Sequence, residues 1–259
     1  MNIIKLSAID STNDYLKINF SEPSNNDIQI AYTFNQTKGR GQRGNSWFSE
    51  PDKNLAFSVA FFSNKFKIKN QFMVNIIFSL FIFNTLKSLQ IPDIKIKWPN
   101  DIMSGNKKIC GILNELKVKG TNIEKMVIGF GLNINQENFK NLPNASSLKL
   151  IKGINYDLNS LVLLFIENLK KYNYLDCLTN FKSENHFENF FNLYQKNLFG
   201  RDKFYKFDTN EPSNLPEKVD LRNDYMPQIY DQGHLGSCTS NAILGAFEYD
   251  HNQQKLGTF

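Results

Sequence analysis

The chain has 259 residues, of which 41% are hydrophobic, and a formal net charge of +5. That length holds one large domain or a medium domain plus a further segment, and that apolar fraction excludes global disorder. Lysines and arginines are scattered rather than striped, as in "NKFKIKN", which argues against a dedicated nucleic-acid reader and leaves room for a small anionic ligand. Cys110, Cys177 and Cys238 form no CxxC pair and are odd in number, so neither a disulfide framework nor a zinc site is expected, and a reducing cytoplasm fits best.

The opening "MNIIKLSAIDSTNDYL" lacks the basic-then-apolar pattern of a secretory signal. Within it Ser11 reads as a helix N-cap, with Asp14 at the third helical position. "IQIAYTF" (28–34) and "NLAFSVAFF" (54–62) read as strands, the second only partly alternating. "FMVNIIFSLFIFNTLKSLQI" (72–91) is apolar but interrupted by Asn75, Ser79, Asn84 and Lys87. It reads as a core helix rather than a membrane span, and no membrane partner is expected. "IKIKW" (94–98) alternates as a half-buried strand ending at Pro99, followed by a tight turn. "KKICGILNELKV" (107–118) and "EKMVIGFGLNIN" (124–135) pair through "KGTN". "LNSLVLLFIENLKKYNYL" (158–175) is an amphipathic helix, and more helix follows over 186–199. Strands first, then helices, predict an α+β domain with its helices on one side of the sheet. Near residue 210 the texture changes to a proline-containing linker, and there is no internal repeat.

Two stretches carry chemistry. "KGRGQRGNSW" (38–47) combines glycines, which let backbone N–H groups approach an anion, with arginines that match phosphate or carboxylate oxygens. On the loop alone, a solvated turn and an anion cradle both stay open. "KWPNDIMSGNKKICGILNE" (97–115) sets Asn100 and Asp101 at a strand end and returns Lys107 and Lys108 on the next strand. An Asn-Asp pair can orient hydrated Mg²⁺ or a phosphate, and a facing lysine can neutralise charge building on a phosphoryl group. A plain hairpin with surface lysines is the alternative.

Taken in order, "DSTN" (10–13), "QTKGRGQRGNSW" (36–47), "KWPND" (97–101), "KKICGILNE" (107–115) and "GFGLNIN" (129–135) resemble the bacterial biotin–protein ligases over residues 1 to 200. The resemblance implies a mixed sheet with flanking helices, related to class II aminoacyl-tRNA synthetases. It also implies a two-step reaction: biotin and Mg-ATP give biotinyl-5′-AMP, and a lysine of a biotin carboxyl carrier protein domain, as in acetyl-CoA carboxylase, then attacks it. By the resemblance, Ser11, Thr12, Asn13, Gln36, Gly39, Arg40, Gly41, Gln42, Lys108 and Gly111 line the biotin site, with Arg40 and Lys108 catalytic. Arg43, Trp47, Asn100, Asp101 and Asn133 fall where the family handles ATP. Arg40 and Lys108 are expected to come together from separate strands around the mixed anhydride. Gln42 stands where the family often has arginine, which predicts looser retention of the adenylate. No protein-held metal site is expected apart from the Mg²⁺ that accompanies ATP. The chain opens on the catalytic motifs, so no DNA-binding repressor role is expected; a homodimer stays open.

The resemblance divides the chain into a catalytic domain (1–192), the truncated start of an SH3-like subdomain (193–210) and a tail (211–259). The tail resembles the N-terminal segment of papain-like cysteine peptidases, with Gln232 and Cys238 in the oxyanion and nucleophile positions. No histidine base stands in the family's downstream place, so the tail is expected to be a non-catalytic fragment in a chimeric chain. The functional alternatives are a biotin- or adenylate-binding chain that transfers weakly, and a lipoate-type ligase.

Overall fold

One interior strand of the protein, residues 54–62, is covered on both sides, and that fact organises the rest. A computed structural model describes residues 1–20, 28–62, 66, 68, 71–139, 142–171, 174 and 184–199. In chain order these form β1 (Asn2–Leu6), α1 (Thr12–Asn19), β2 (Ile28–Thr33), β3 (Gly39–Arg40), β4 (Ser46–Trp47), β5 (Asn54–Phe62), α2 (Gln71–Ser88) and β6 (Ile94–Lys97). Then come β7 (Asp101–Ser104), β8 (Lys107–Lys119), β9 (Asn122–Asn133), α3 (Leu148–Lys152), α4 (Leu158–Lys171) and α5 (Glu184–Lys196). The chain splits into two units, Met1–Lys203 and Phe204–Phe259, and every described residue lies in the first.

Seven strands form one mixed sheet in the order β1-β2-β5-β9-β8-β7-β6. β1 pairs parallel with β2, and the other neighbours are antiparallel. A separate two-stranded ribbon, β3-β4, carries the glycine loop. Leu55, Phe57, Val59 and Phe61 of β5 point into the main core with α2 and α4. The alternate residue Ala60 packs with Leu16 and Phe20 of α1 in a small second core. Both faces are therefore covered, which is why this strand alternates only partly in sequence.

The helices accordingly lie on both faces. The expectation of helices on one side is corrected by α1: Leu16 and Phe20 give it an apolar stripe too short to stand out in the sequence. Four strands also escape the sequence reading: β3 and β4, which lie in what reads as the glycine loop, and two more. β1 is an edge strand with little burial, and β7 occupies what reads as a turn after Pro99. The short helix α3 likewise escapes it; the other elements fall close to where the patterns put them.

α2 is long and apolar enough to cross a membrane by length and composition, with a mean hydropathy of 1.2, but 78% of that window is buried in the fold. It is a core helix. Phe78 and Phe81 meet Phe130 of β9, and Phe81 stacks edge-on against Phe165 of α4 at 5.7 Å. Each such ring, fully buried, stabilises the fold by roughly 1.5–3 kcal/mol. At the far edge, Asn197 accepts from the Ile96 N–H at 2.8 Å and Phe199 donates to Ile96 at 2.7 Å, so the chain after α5 covers β6. Of the segment expected to begin an SH3-like subdomain, residues 193–196 close α5 and 197–199 make this edge contact. Residues 200–210, the 211–259 tail, Gln232 and Cys238 lie outside the described residues.

Candidate active site

The face of the sheet opposite the main core is lined by residues of alternate parity on β5, β8 and β9. On β9 these include Val127, Gly129, Gly131 and Asn133; on β8 they are Gly111, Leu113 and Glu115. Gly111 and Gly131 sit directly opposite each other, as do Leu113 and Gly129. The result is a glycine floor between two walls.

One wall is polar and begins at α1. Ser11 caps the helix, its hydroxyl accepting from the Asp14 N–H. This fixes Thr12 and Asn13 in the first turn, both nearly fully buried. Gln36 Oε1 accepts from the Thr12 N–H at 3.0 Å. Thr12 Oγ1 lies 2.7 Å from Ser58 Oγ, and Ser58 Oγ donates to Asn13 Oδ1 at 2.6 Å. Asn13 Nδ2 in turn donates to Glu115 Oε2 at 2.8 Å. The chain Gln36–Thr12–Ser58–Asn13–Glu115 thus joins four separate segments: the loop after β2, α1, β5 and β8. Gly129 makes it possible: a Cβ there would collide with Asn13 Oδ1 and come within 2.6 Å of Ser58 Oγ.

The other wall is built around Lys108, and a β-bulge puts it there. Along β8, Cys110 and Ile112 face the main core, so strict alternation would turn Lys108 coreward as well. Cys110 pairs with Ile102 but Lys108 pairs with Met103, leaving Ile109 as the extra residue. Ile109 and Cys110 both enter the main core, and Lys108 emerges on the same face as Gly111. Its backbone is held by Asn144, which accepts from its N–H at 2.7 Å, and by Ser146, which donates to its carbonyl at 3.0 Å. Lys108 Nζ pairs with Asp101 at 2.7 Å and stands 5.6 Å from the centre of the Trp47 ring, within cation–π range.

Trp47 spans the floor. A Cβ on Gly131 would fall 2.5 Å from its indole Cε2 and Nε1, and one on Gly111 would fall 2.9 Å from Cζ3. The ring therefore lies flat on bare backbone. Ribbon pairing with Gly39 carries Trp47 there, and Gly39 itself packs too closely on Trp47 and Gln36 to tolerate a side chain. In the loop between, Gln42 and Arg43 form a 3-10 turn after Gly41, and Gly44 adopts φ +78°, which favours glycine. A buried network anchors the far end of the loop. Asn54 donates to Gln136, and Gln136 Oε1 accepts from the Glu50 N–H at 3.1 Å.

Arg40 does not stand beside Lys108. Its guanidinium pairs with Asp14 at 2.5 Å and with Glu115 at 3.0 Å, and Lys17 joins the same two carboxylates. Arg40 and Lys108 are thus held in two separate ion-pair groups, one per wall, rather than in the joint clasp expected from the sequence. Asn100 serves the strand end: it exchanges bonds with Ile112, its Nδ2 donating to the carbonyl at 2.9 Å. Asn133 donates to Ser146 at 3.0 Å, while its buried Oδ1 has no hydrogen-bond partner among the described residues.

Sequence reasoning missed Ser58, Asp14, Glu115, Gly129 and Gly131 as site residues. The signals were present: a lone hydroxyl inside an apolar strand, and two glycines spaced by two in another, hence on one face.

With this geometry in hand, comparison with known proteins gives a consistent answer. Residues 6–133 match the model of the biotin/lipoate A/B protein ligase family. The matched segment holds both walls and the glycine floor. The bifunctional ligase/repressor BirA of Escherichia coli is 32% identical over 171 residues, 65% of this chain and 52% of that protein. The biotin–[acetyl-CoA-carboxylase] ligase of Mycobacterium tuberculosis is 26% identical over 141 residues, 53% of this chain and 51% of that protein. The chain thus spans about half the length of these curated relatives. Among solved structures, the biotin protein ligase of Aquifex aeolicus in complex with biotin and ATP matches with a TM-score of 0.63 and 27% identity, over 76% of this chain and 78% of that one.

Proposed function

We propose that the chain is an ATP-dependent biotin–protein ligase. The observation that carries the reading is the convergence of the polar wall, the Trp47 indole and Lys108 on one glycine-floored face. The biotin carboxylate attacks the α-phosphorus of ATP, releasing pyrophosphate and leaving the mixed anhydride biotinyl-5′-AMP. The ε-amine of a carrier-domain lysine then attacks the acyl carbon, and AMP leaves.

In this reading the polar wall of Thr12, Asn13 and Gln36 takes the ring end of biotin, offering donors and acceptors to a cyclic urea. Ser11 contributes by capping α1. Lys108 faces the reacting carboxylate and α-phosphate, where two anions must meet. A cation that strengthens its contacts as charge builds lowers that barrier. Trp47 offers an aromatic face, and Asn133 Oδ1 an open acceptor, to the nucleotide. Asp101, with Asn100 beside it, suits a Mg²⁺ carried in by phosphates, since that ion is usually bound by one or two carboxylates plus substrate oxygens. The glycine loop, with Gly39, Gly41 and Gly44, closes over the anhydride and keeps water out. Arg40 is available to the adenylate once that anion competes with Asp14 and Glu115 for it. The partner is a carrier domain of the acetyl-CoA carboxylase type, in the cytoplasm.

The test is mass-detected transfer of biotin to a carrier domain by the full chain, with ATP and Mg²⁺. A gain of one biotin on the carrier, absent with Lys108→Ala, is expected. Unmodified carrier together with no biotin-dependent release of pyrophosphate refutes the assignment. Pyrophosphate release without transfer identifies an adenylate-forming chain that transfers weakly. Transfer of lipoate in preference to biotin corrects the substrate.

A further inference from the structure

Lys125 is a lysine buried to 6% exposure on β9, and the chemistry above gives it no role. Its ammonium donates to the carbonyls of Leu16 at 3.0 Å and Lys17 at 2.9 Å, and to that of Phe20. Three donors meet three acceptors, and no carboxylate pairs with it among the described residues. The acceptors are carbonyls of the last turn of α1 and its C-cap. That helix ends at Phe20 with φ −109° and ψ 80°, so it lacks the left-handed cap that usually satisfies such carbonyls. Lys125 replaces it, and its charge complements the negative end of the helix dipole. The ammonium also lies 5.5 Å from the Phe20 ring and 5.8 Å from that of Phe62, which pack together at 5.0 Å.

The placement matters because α1 lies against residues 125–129 of β9. Lys125, Val127 and Gly129 share one face of β9. Lys125 takes the C-terminus of α1, Val127 packs with Leu16 and Phe20, and Gly129 receives Asn13. Four residues of strand span about 13 Å, and the eight residues of α1 span about 12 Å, so the two ladders match end to end. The apolar contact beneath α1 is small, with five buried members in its cluster. A polar latch at one end therefore sets where the other end sits.

We propose that Lys125 is a positioning residue for the binding site: by capping the C-terminus of α1 it fixes the register of that helix on β9, and so the position of Thr12 and Asn13. The consequence for biotin rests on the function proposed above; the consequence for the helix does not.

The test uses the full chain with Lys125→Met, which keeps the stem and removes the donors, and Lys125→Arg, which restores donors and charge. In the ligand-free protein, Lys125→Met speeds hydrogen exchange of α1 amides by on the order of tenfold, the size of a partly buried cation–helix-end interaction, and leaves α2 unchanged. Biotin affinity and KM weaken by a similar factor while kcat at saturating biotin holds, and Lys125→Arg recovers most of both effects. If Lys125→Met also loses α2 protection, Lys125→Gln, with two N–H donors and no charge, decides by the same contrast. Unchanged α1 exchange in a folded Met or Gln variant overturns the proposal. Altered exchange with unchanged biotin affinity leaves Lys125 a helix cap alone and overturns its role at the site. A wild-type chain that binds no biotin refutes the ligase reading instead, and the exchange contrast still decides for the latch.

Discussion

Gly131→Ala probes the floor of the site with a single methyl group. Gly131 sits in regular β9, outside the positive-φ region, so alanine meets no backbone strain there. Its Cβ, however, would stand 2.5 Å from the Trp47 Cε2 and Nε1. Ordinary contact between such atoms is about 3.5–4.0 Å, so the indole must lift by about 1 Å or more. Overpacking of this kind costs roughly 1–3 kcal/mol, which for a domain of this size lowers Tm by roughly 2–12 °C. The chain has two tryptophans, Trp47 and Trp98, so the assay is direct. In an NMR spectrum the Trp47 indole N–H signal moves, and that of Trp98, packed edge-on against Phe72, does not. Gly105→Ala is the contrasting control: φ is +53° with nothing within 4 Å, so it pays backbone strain and leaves both indole signals in place. An unmoved Trp47 signal with an unchanged Tm in Gly131→Ala would refute the claim that the ring rests on bare backbone.

Four further outcomes are expected. Lys108→Ala abolishes adenylate formation but shifts Tm by no more than about 4 °C, because the pair it loses with Asp101 is only partly buried; Arg40→Ala still forms the adenylate but releases it faster, read as labelling of bystander lysines, and an unchanged off-rate sinks that half. Asp157 caps α4, accepting at 2.7 Å from both the hydroxyl and the backbone N–H of Ser160, which hold its carboxyl below the ordinary value of 3.8. Its contribution to stability is complete above that ordinary value and is lost as pH falls through the lower folded one, so Asp157→Asn, which keeps an acceptor, flattens the acid limb of a Tm–pH curve. Cys110 is fully buried and burial pushes its thiol far up, so peptide mapping finds it unalkylated by iodoacetamide in the native chain and alkylated in urea.

Much of the frame was legible because its signals are local. The strand 54–62, the hairpin through "KGTN" and the core helix 71–88 announce themselves by apolar content and turn residues. β1 does not, since an edge strand buries too little to impose a period, and α1, only eight residues long, shows itself only by its N-cap at Ser11. The ordered motifs drew attention to Thr12, Asn13, Gln36, Trp47 and Lys108, but the partners that orient them come from elsewhere. Ser58 meets Thr12 across 46 positions, and Glu115 meets Asn13 across 102. No local pattern encodes such pairs; they follow from sheet order, which places β5, β9 and β8 side by side.

Lys108 shows most clearly what a linear reading loses. Period-two alternation along "KKICGIL" assigns Lys108 to the same side as Cys110, which is the core side. A reading by parity alone would therefore bury a lysine or reject the strand. The bulge at Ile109 resolves the conflict by giving the core two consecutive apolar residues and turning the next side chain over. The sequence does not single this out, since Ile112-Leu113 further along the same run is also an apolar pair. The same residue that breaks the ladder delivers the cation to the floor where Trp47 and Gly111 lie, so the irregularity in β8 and the chemistry of the site have one physical origin.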